Sequence, residues 1–134
     1  MKAASTLTLF LDTGRMIRAR MERALPLSFG QCETLRFISE SGSPTMREIA
    51  AHFKITAPSA TAIVEELARS GHVSRSAGLR DRREVRVTLT VKGGRVLKNV
   101  TERRARVLSE VLSPLSASDR HDLNRILIKI LHNA

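Results

Sequence analysis

Between Thr56 and Thr90 the apolar residues change their repeat at one glycine, from about 3.6 residues to about 2, and few small folds accommodate that change. Ala60, Ile63, Val64 and Leu67 fall at i, i+3, i+4 and i+7, which commits one face of a helix to a core. Ser59, Thr61, Ala62, Glu66 and Arg69 take the opposite face and are left for a partner. Gly71 supplies the left-handed residue on which helices commonly end. Beyond it Val85, Val87 and Leu89 alternate with Glu84, Arg86 and Thr88, so a two-stranded hairpin is expected from about His72 to Thr90. Its turn, Ala77-Gly78-Leu79-Arg80-Asp81-Arg82-Arg83, places three arginines at an exposed tip, where they repel one another unless an anion lies between them. Phosphate is the obvious candidate. Counting back in twos from Val87 and Val85 puts Arg83 on their side of the strand, an awkward place for a merely solvated charge.

The segment upstream completes a motif. Thr45 with Glu48 three residues later reads as a capping box, and Met46, Ile49, Ala50 and Phe53 give a short amphipathic stripe ending near Lys54. A few residues on, Thr56 caps the next helix, with Pro58 tolerated in its first turn. Two short helices joined by a tight turn, the second with a polar outer face, make a helix-turn-helix, and the hairpin after them is a wing.

The charge balance fits that motif. The chain of 134 residues carries a formal net charge of +10, with Lys and Arg concentrated from Arg69 through Arg106, a footprint for nucleic acid rather than a diffuse solubilising charge. With no Trp, no Tyr and only four Phe, there is no stacking platform for single strands, which favours duplex DNA. No apolar run reaches about 18 residues and Met1 to Phe10 does not read as a signal peptide, so a soluble, cytoplasmic protein with no membrane partner is expected. One cysteine excludes an intramolecular disulfide and a cysteine-rich zinc module.

The flanks are helical and unusually apolar. Leu7, Phe10, Leu11, Gly14, Ile17, Met21, Ala24 and Leu25 keep helical spacing, while Leu9 and Met16 lie off that stripe; a terminal helix apolar on more than one side calls for a partner chain. Pro26 ends it, and Ser28 caps a second helix through Leu35 and Ile38. Thr90 caps a long helix toward Leu112, anchored by Val100, Val107, Leu108 and Val111, with Glu102 placed to pair with Arg106. After Pro114, Ser116 and Asp119 open a last helix whose Leu123, Ile126, Leu127, Ile130 and Leu131 form a stripe. These helices imply a core shared by two chains, with the interface in the first helix and the last two.

Asp81-Arg82-Arg83 between two strands, followed by Leu89-Thr90-Val91-Lys92-Gly93, resembles the MarR family of winged-helix regulators, whose wing carries Asp-x-Arg and whose next helix opens Leu-Thr-x-x-Gly. Glu65-Glu66-Leu67 and Gly71-His72-Val73 stand where that family has acidic-x-Leu and Gly-x-Val. The resemblance spans nearly the whole chain. It implies one mainly α domain with a small two- to three-stranded β-wing, the winged helix-turn-helix over about residues 28–90 and dimerisation helices over about 5–25 and 91–134. The expected activity is that of a homodimeric regulator, a repressor on a palindromic operator. The helix from Ser59 to Arg69 would lie in the major groove and the wing in the flanking minor groove. The DNA-contacting set is then Thr45, Ser59, Thr61, Ala62, Arg69, Arg75, Arg80, Asp81, Arg82, Arg83 and Arg86, with Asp81 orienting Arg83. Ala62 and Glu66 depart from the family, which often has basic residues there, so base reading falls to Ser59 and Thr61 and affinity to the wing. No cofactor is implied; a small-molecule effector of unspecified identity is a candidate partner.

Other readings weigh less. A coat protein without sequence preference would share the basic surface but not discriminate between sites. A metal-dependent enzyme would need a ligand cluster, and His52, His72, His121 and His132 are scattered, while Asp119, His121 and Asp122 sit in a helix's first turns, where they more often cap it. Gly93-Gly94 lacks the spacing of a phosphate-cradling loop. Cys32, near a helix start with Arg36 one turn on, has features of a reactive thiol, but it borders the Leu35 and Ile38 stripe and reads better as inert packing.

Overall fold

The computed structural model describes residues 3–134, with side chains from residue 5 onward. In chain order the elements are α1 (Ala3–Ala24), α2 (Phe29–Ser41), α3 (Met46–Phe53), α4 (Ala57–Arg69), β1 (Val73–Ala77), β2 (Val85–Leu89), α5 (Val91–Leu112) and α6 (Ala117–His132). The structure is thus mainly helical with a small wing, as the sequence indicates.

Cap chemistry sets most helix starts. Ser28, Thr45, Thr56, Thr90 and Ser116 each accept a bond from the amide three residues on, satisfying a donor the helix cannot. The box is reciprocal at Ser28, where Gln31 returns the bond, and at Ser116, where Asp119 does. At Thr45 only one half of the expected box forms: Glu48 donates its amide to the Thr45 hydroxyl at 3.1 Å, without a return bond from its carboxylate. Thr45 instead forms an isolated antiparallel bridge with Arg86, and Val87 donates to the Pro44 carbonyl at 2.9 Å. The wing is therefore two strands, paired from Val73↔Leu89 to Ala77↔Val85, extended by a one-residue third strand.

The core lies where the winged helix-turn-helix closes on itself. Leu35 and Ile38 of α2, Ile49 of α3, Val64 and Leu67 of α4, and Val87 of β2 are fully buried in one cluster. Each full burial of such a side chain is worth about 1.5–3 kcal/mol. The α4 stripe thus does what its spacing requires. Lys54 ends α3 in the left-handed region at φ 53°, and Gly71 follows α4 at φ 82°.

A second joint fixes the wing to α5. The Thr90 hydroxyl donates to the Gly71 carbonyl at 2.6 Å and accepts from the Gly93 amide at 3.0 Å, while the Thr90 amide donates to the His72 carbonyl at 3.1 Å. Gly93 is buried against that carbonyl, and a Cβ there would overlap its oxygen. The Leu-Thr-x-x-Gly run is thus a packing device: threonine caps the helix and ties it back to Gly71, and glycine lets the two backbones meet.

The long helices pack unevenly. α1 lies along α5, with Met21, Val100 and Val107 buried and Arg103 donating to the Ala24 carbonyl at 2.9 Å. Arg104 reaches Glu33 of α2 at 3.3 Å; among the described residues Glu102 and Arg106 do not form the ion pair their spacing allows. α6 buries none of its residues fully. Among the described residues no helix is long and apolar enough to cross a membrane.

Candidate nucleic-acid interface

The wing tip is a closed loop, not a loose one. Gly78 donates to the Glu84 carbonyl at 2.9 Å and Glu84 to the Asp81 carbonyl at 3.1 Å. Within that loop Asp81 Oδ1 accepts from the Arg83 amide at 2.9 Å and from Arg83 Nε at 3.3 Å. An aspartate bonding the backbone two residues on is an Asx turn, so one carboxylate both shapes the tip and holds the guanidinium. Gly78 makes the turn possible, because a Cβ there would stand 2.6 Å from the Asp81 carbonyl oxygen.

Strand parity misplaces Arg83. β2 begins only at Val85, and the Arg83 side chain is 93% exposed. The Asp81 bond therefore spans open solvent, where an ion pair contributes only about 0–1 kcal/mol to stability. Its effect is on orientation. Arg80 and Arg82 are exposed and, among the described residues, have no ion-pair partner.

The outer face of α4 is available beside the wing. Thr61, Ala62 and Arg69 are exposed, as is Ser59, whose hydroxyl accepts from the Thr56 hydroxyl at 2.9 Å. Two acidic groups on α4 are partly engaged: Glu66 accepts from Gln31 Nε2 at 3.3 Å, and Glu65 lies 4.0 Å from Arg75. Arg75 offsets part of the Glu65 charge beside a face that would meet an anion, while the neutral Gln31 leaves the charge of Glu66 in place.

Two expected contacts sit differently. Thr45 is buried, its hydroxyl oxygen accepting from the Glu48 amide, so its side chain anchors the helix start instead of standing open to a partner. Arg86 is half-buried, donating to the Ser43 carbonyl at 2.8 Å and lying 3.6 Å from Glu84, and so is largely spent on holding the wing to the α3 start. Thr45, Asp81 and Arg83 line one groove of about 530 Å³ between wing and α3, together with Arg47, which periodicity does not single out. Its signal is its place: an exposed cation in the first turn of a helix-turn-helix.

The proposed dimer residues are mostly exposed on the single chain. Leu7, Phe10 and Leu11 of α1 and Ile126, Leu127, Ile130 and Leu131 of α6 are open, as are Leu9, Met16 and Ile128 outside the stripes. Ile17, Val111 and Leu123 are partly covered and line, with Phe10 and Leu127, an apolar groove of about 1020 Å³ between α1, α5 and α6. Cys32 is buried, its thiol directed at the Leu27 carbonyl at 3.7 Å. Burial first, then the Glu33 charge, push its pKa above the ordinary thiol value against the smaller pull of the Leu27 bond and Arg104. Arg36, the expected activator, bonds Glu33 instead. That is the inert setting.

The same architecture recurs in known proteins. The MarR family's sequence profile matches residues 27–85. The chain is 30% identical over 125 residues to the uncharacterized HTH-type transcriptional regulator ML2140 of Mycobacterium leprae, covering 92% of this chain and 86% of that one. It is 26% identical over 125 residues to the HTH-type transcriptional repressor Rv2887 of Mycobacterium tuberculosis, covering 91% and 90%. Its fold superposes with a TM-score of 0.81 on a mutant MarR from E. coli complexed with operator DNA, at 20% identity over 92% of this chain and 91% of that one. With its capped helix-turn-helix, Asp-x-Arg wing and Thr90–Gly93 joint, the chain belongs to the MarR family of DNA-binding transcriptional regulators.

Proposed function

We propose that this regulator is a homodimeric repressor that acts in the cytoplasm on a palindromic operator, with α4 of each subunit in a major groove and the wing in the flanking minor groove. The observation that carries the reading is the tip itself: three exposed arginines, one held by Asp81, on a hydrogen-bonded loop beside the open face of α4. An anion repays that concentration of charge, and a narrow minor groove offers the deepest negative potential. Ser59, Thr61 and Ala62 meet base edges, while Arg69, Arg75, Arg80 and Arg82 meet phosphate. Rv2887 is named a repressor, which supports the direction of regulation. The open apolar faces of α1 and α6 support the dimer.

Selection of sites from random duplexes, followed by footprinting, tests the reading. The enriched sites should be inverted repeats with half-site centres about 10 bp apart. Direct repeats would overturn the two-fold arrangement, and binding competed equally well by unrelated DNA would replace the reading with a coat protein lacking sequence preference.

A further inference from the structure

Leu79 is the most exposed large apolar residue described, at 101% of its reference surface. The other open leucines and isoleucines lie on α1 and α6, where a second subunit accounts for them; Leu79 lies on neither. It stands between Gly78 and Arg80 in the wing tip and touches nothing that would stabilise the fold. The loop's closure decides where it goes. Gly78 is bonded to Glu84, and the strands pair up to Ala77↔Val85, so Leu79 and Arg83 both lie in the short closed loop that follows. An approach that brings this closed tip to a groove brings the exposed Leu79 to it along with Arg83. The tip is held by the Asp81 bonds to Arg83 and by the Gly78–Glu84 and Glu84–Asp81 backbone bonds.

We propose that Leu79 is a specificity-determining contact of the wing: it packs against the deoxyribose walls of the minor groove and wedges at a base step beside the one that Arg83 occupies. This rests on the DNA-binding reading above. Apolar side chains inserted from the minor groove unstack a step, and pyrimidine–purine steps yield most easily. The wing therefore reads two properties at once, a narrow stretch for Arg83 and a deformable step for Leu79. Because the leucine carries no charge, it displaces no counterions, and its contribution is independent of salt.

The test compares Leu79→Ala with Arg82→Ala on the selected site, on the same site with its deformable step replaced, and on unrelated duplex, each across a salt series. Leu79→Ala should weaken the selected site about five- to tenfold, leave the slope of log K against log salt unchanged, and leave unrelated duplex within about twofold. It should also remove most of the unmodified protein's preference for the deformable step. Arg82→Ala should reduce the slope by about one and weaken every duplex. Thermal unfolding of Leu79→Ala should match the unmodified protein, since the side chain has no contacts to lose. Unchanged affinity of Leu79→Ala for the selected site, with the Arg82→Ala effect intact, overturns the wedge and leaves the DNA-binding reading standing. An unmodified protein that discriminates no site overturns both.

Discussion

Asp81 and Arg83 form an exposed pair whose worth to the folded chain is slight, so its value has to be sought in the bound state. A guanidinium already held on its carboxylate loses little further freedom on entering a groove. Arg83→Ala should therefore cost on the order of 1–3 kcal/mol of specific affinity, and Arg83→Lys should recover little, because lysine keeps the charge but not the planar fork. Asp81→Ala is the sharper variant. It makes the tip more positive, and a purely electrostatic wing would then bind more tightly; an oriented arginine predicts weaker binding despite the added charge. Titration of Asp81→Ala against a selected site at fixed salt distinguishes the two, and tighter binding would falsify orientation. Gly93 is the matching case for the fold. Gly93→Ala drives a methyl into the His72 carbonyl, between two backbones that cannot move aside separately. A loss of about 3 kcal/mol or more is expected in urea unfolding, whereas Gly94→Ala, which meets nothing within 4 Å, should be tolerated.

At the scale of elements, what was legible is what local chemistry determines. The five hydroxyl caps, the α4 stripe and the change of repeat at Gly71 all depend on residues within about one turn of each other, and the structure keeps them. The misses are long-range or conformational. Nothing in a lysine announces φ 53° at the end of α3, and nothing near Thr45 announces its bridge to Arg86. Glu33 draws Arg104 from α5 across 71 positions, and the local option of Glu102 with Arg106 is passed over. Alternation misplaces Arg83 because the strand begins only at Val85. His72 belongs to the same class: it is buried at the α4–β1–α5 joint, and its Nδ1 has no hydrogen-bond partner among the described residues. Burial first, and then the Lys92 charge, push its pKa below the ordinary imidazole value of 6.5. The folded joint thus favours the neutral ring, and the unfolded chain takes up the proton first as pH falls. Its contribution to stability is full above pH 6.5 and is lost progressively below it. The urea midpoint should be lower at about pH 5.5 than at about pH 7.5, and His72→Phe should shrink that difference; an equal drop in the variant would move the cause elsewhere.

For the whole molecule, the wing and the terminal helices state complementary needs. The tip needs an anion, and the long helices need apolar cover, since α6 has no fully buried residue while Ile126, Leu127, Ile128, Ile130 and Leu131 are all open. In the proposed homodimer a second copy would supply that cover and would set two wings on one duplex with two-fold symmetry. Folding should then be coupled to association. Unfolding of the unmodified protein should shift to higher temperature as its concentration rises, as mass action requires when the folded state is the associated one. Leu127→Asp places a carboxylate in the proposed seam, where losing its hydration costs several kcal/mol, so the association, the stability and the DNA affinity should fall together. A surface substitution such as Lys129→Gln serves as the control, expected to leave all three unchanged. Light scattering at micromolar concentration gives the direct reading. A monomeric, cooperatively folded, unmodified protein whose unfolding temperature is independent of concentration would show that α1, α5 and α6 suffice as a core within one chain, and the shared-core argument would fall with it.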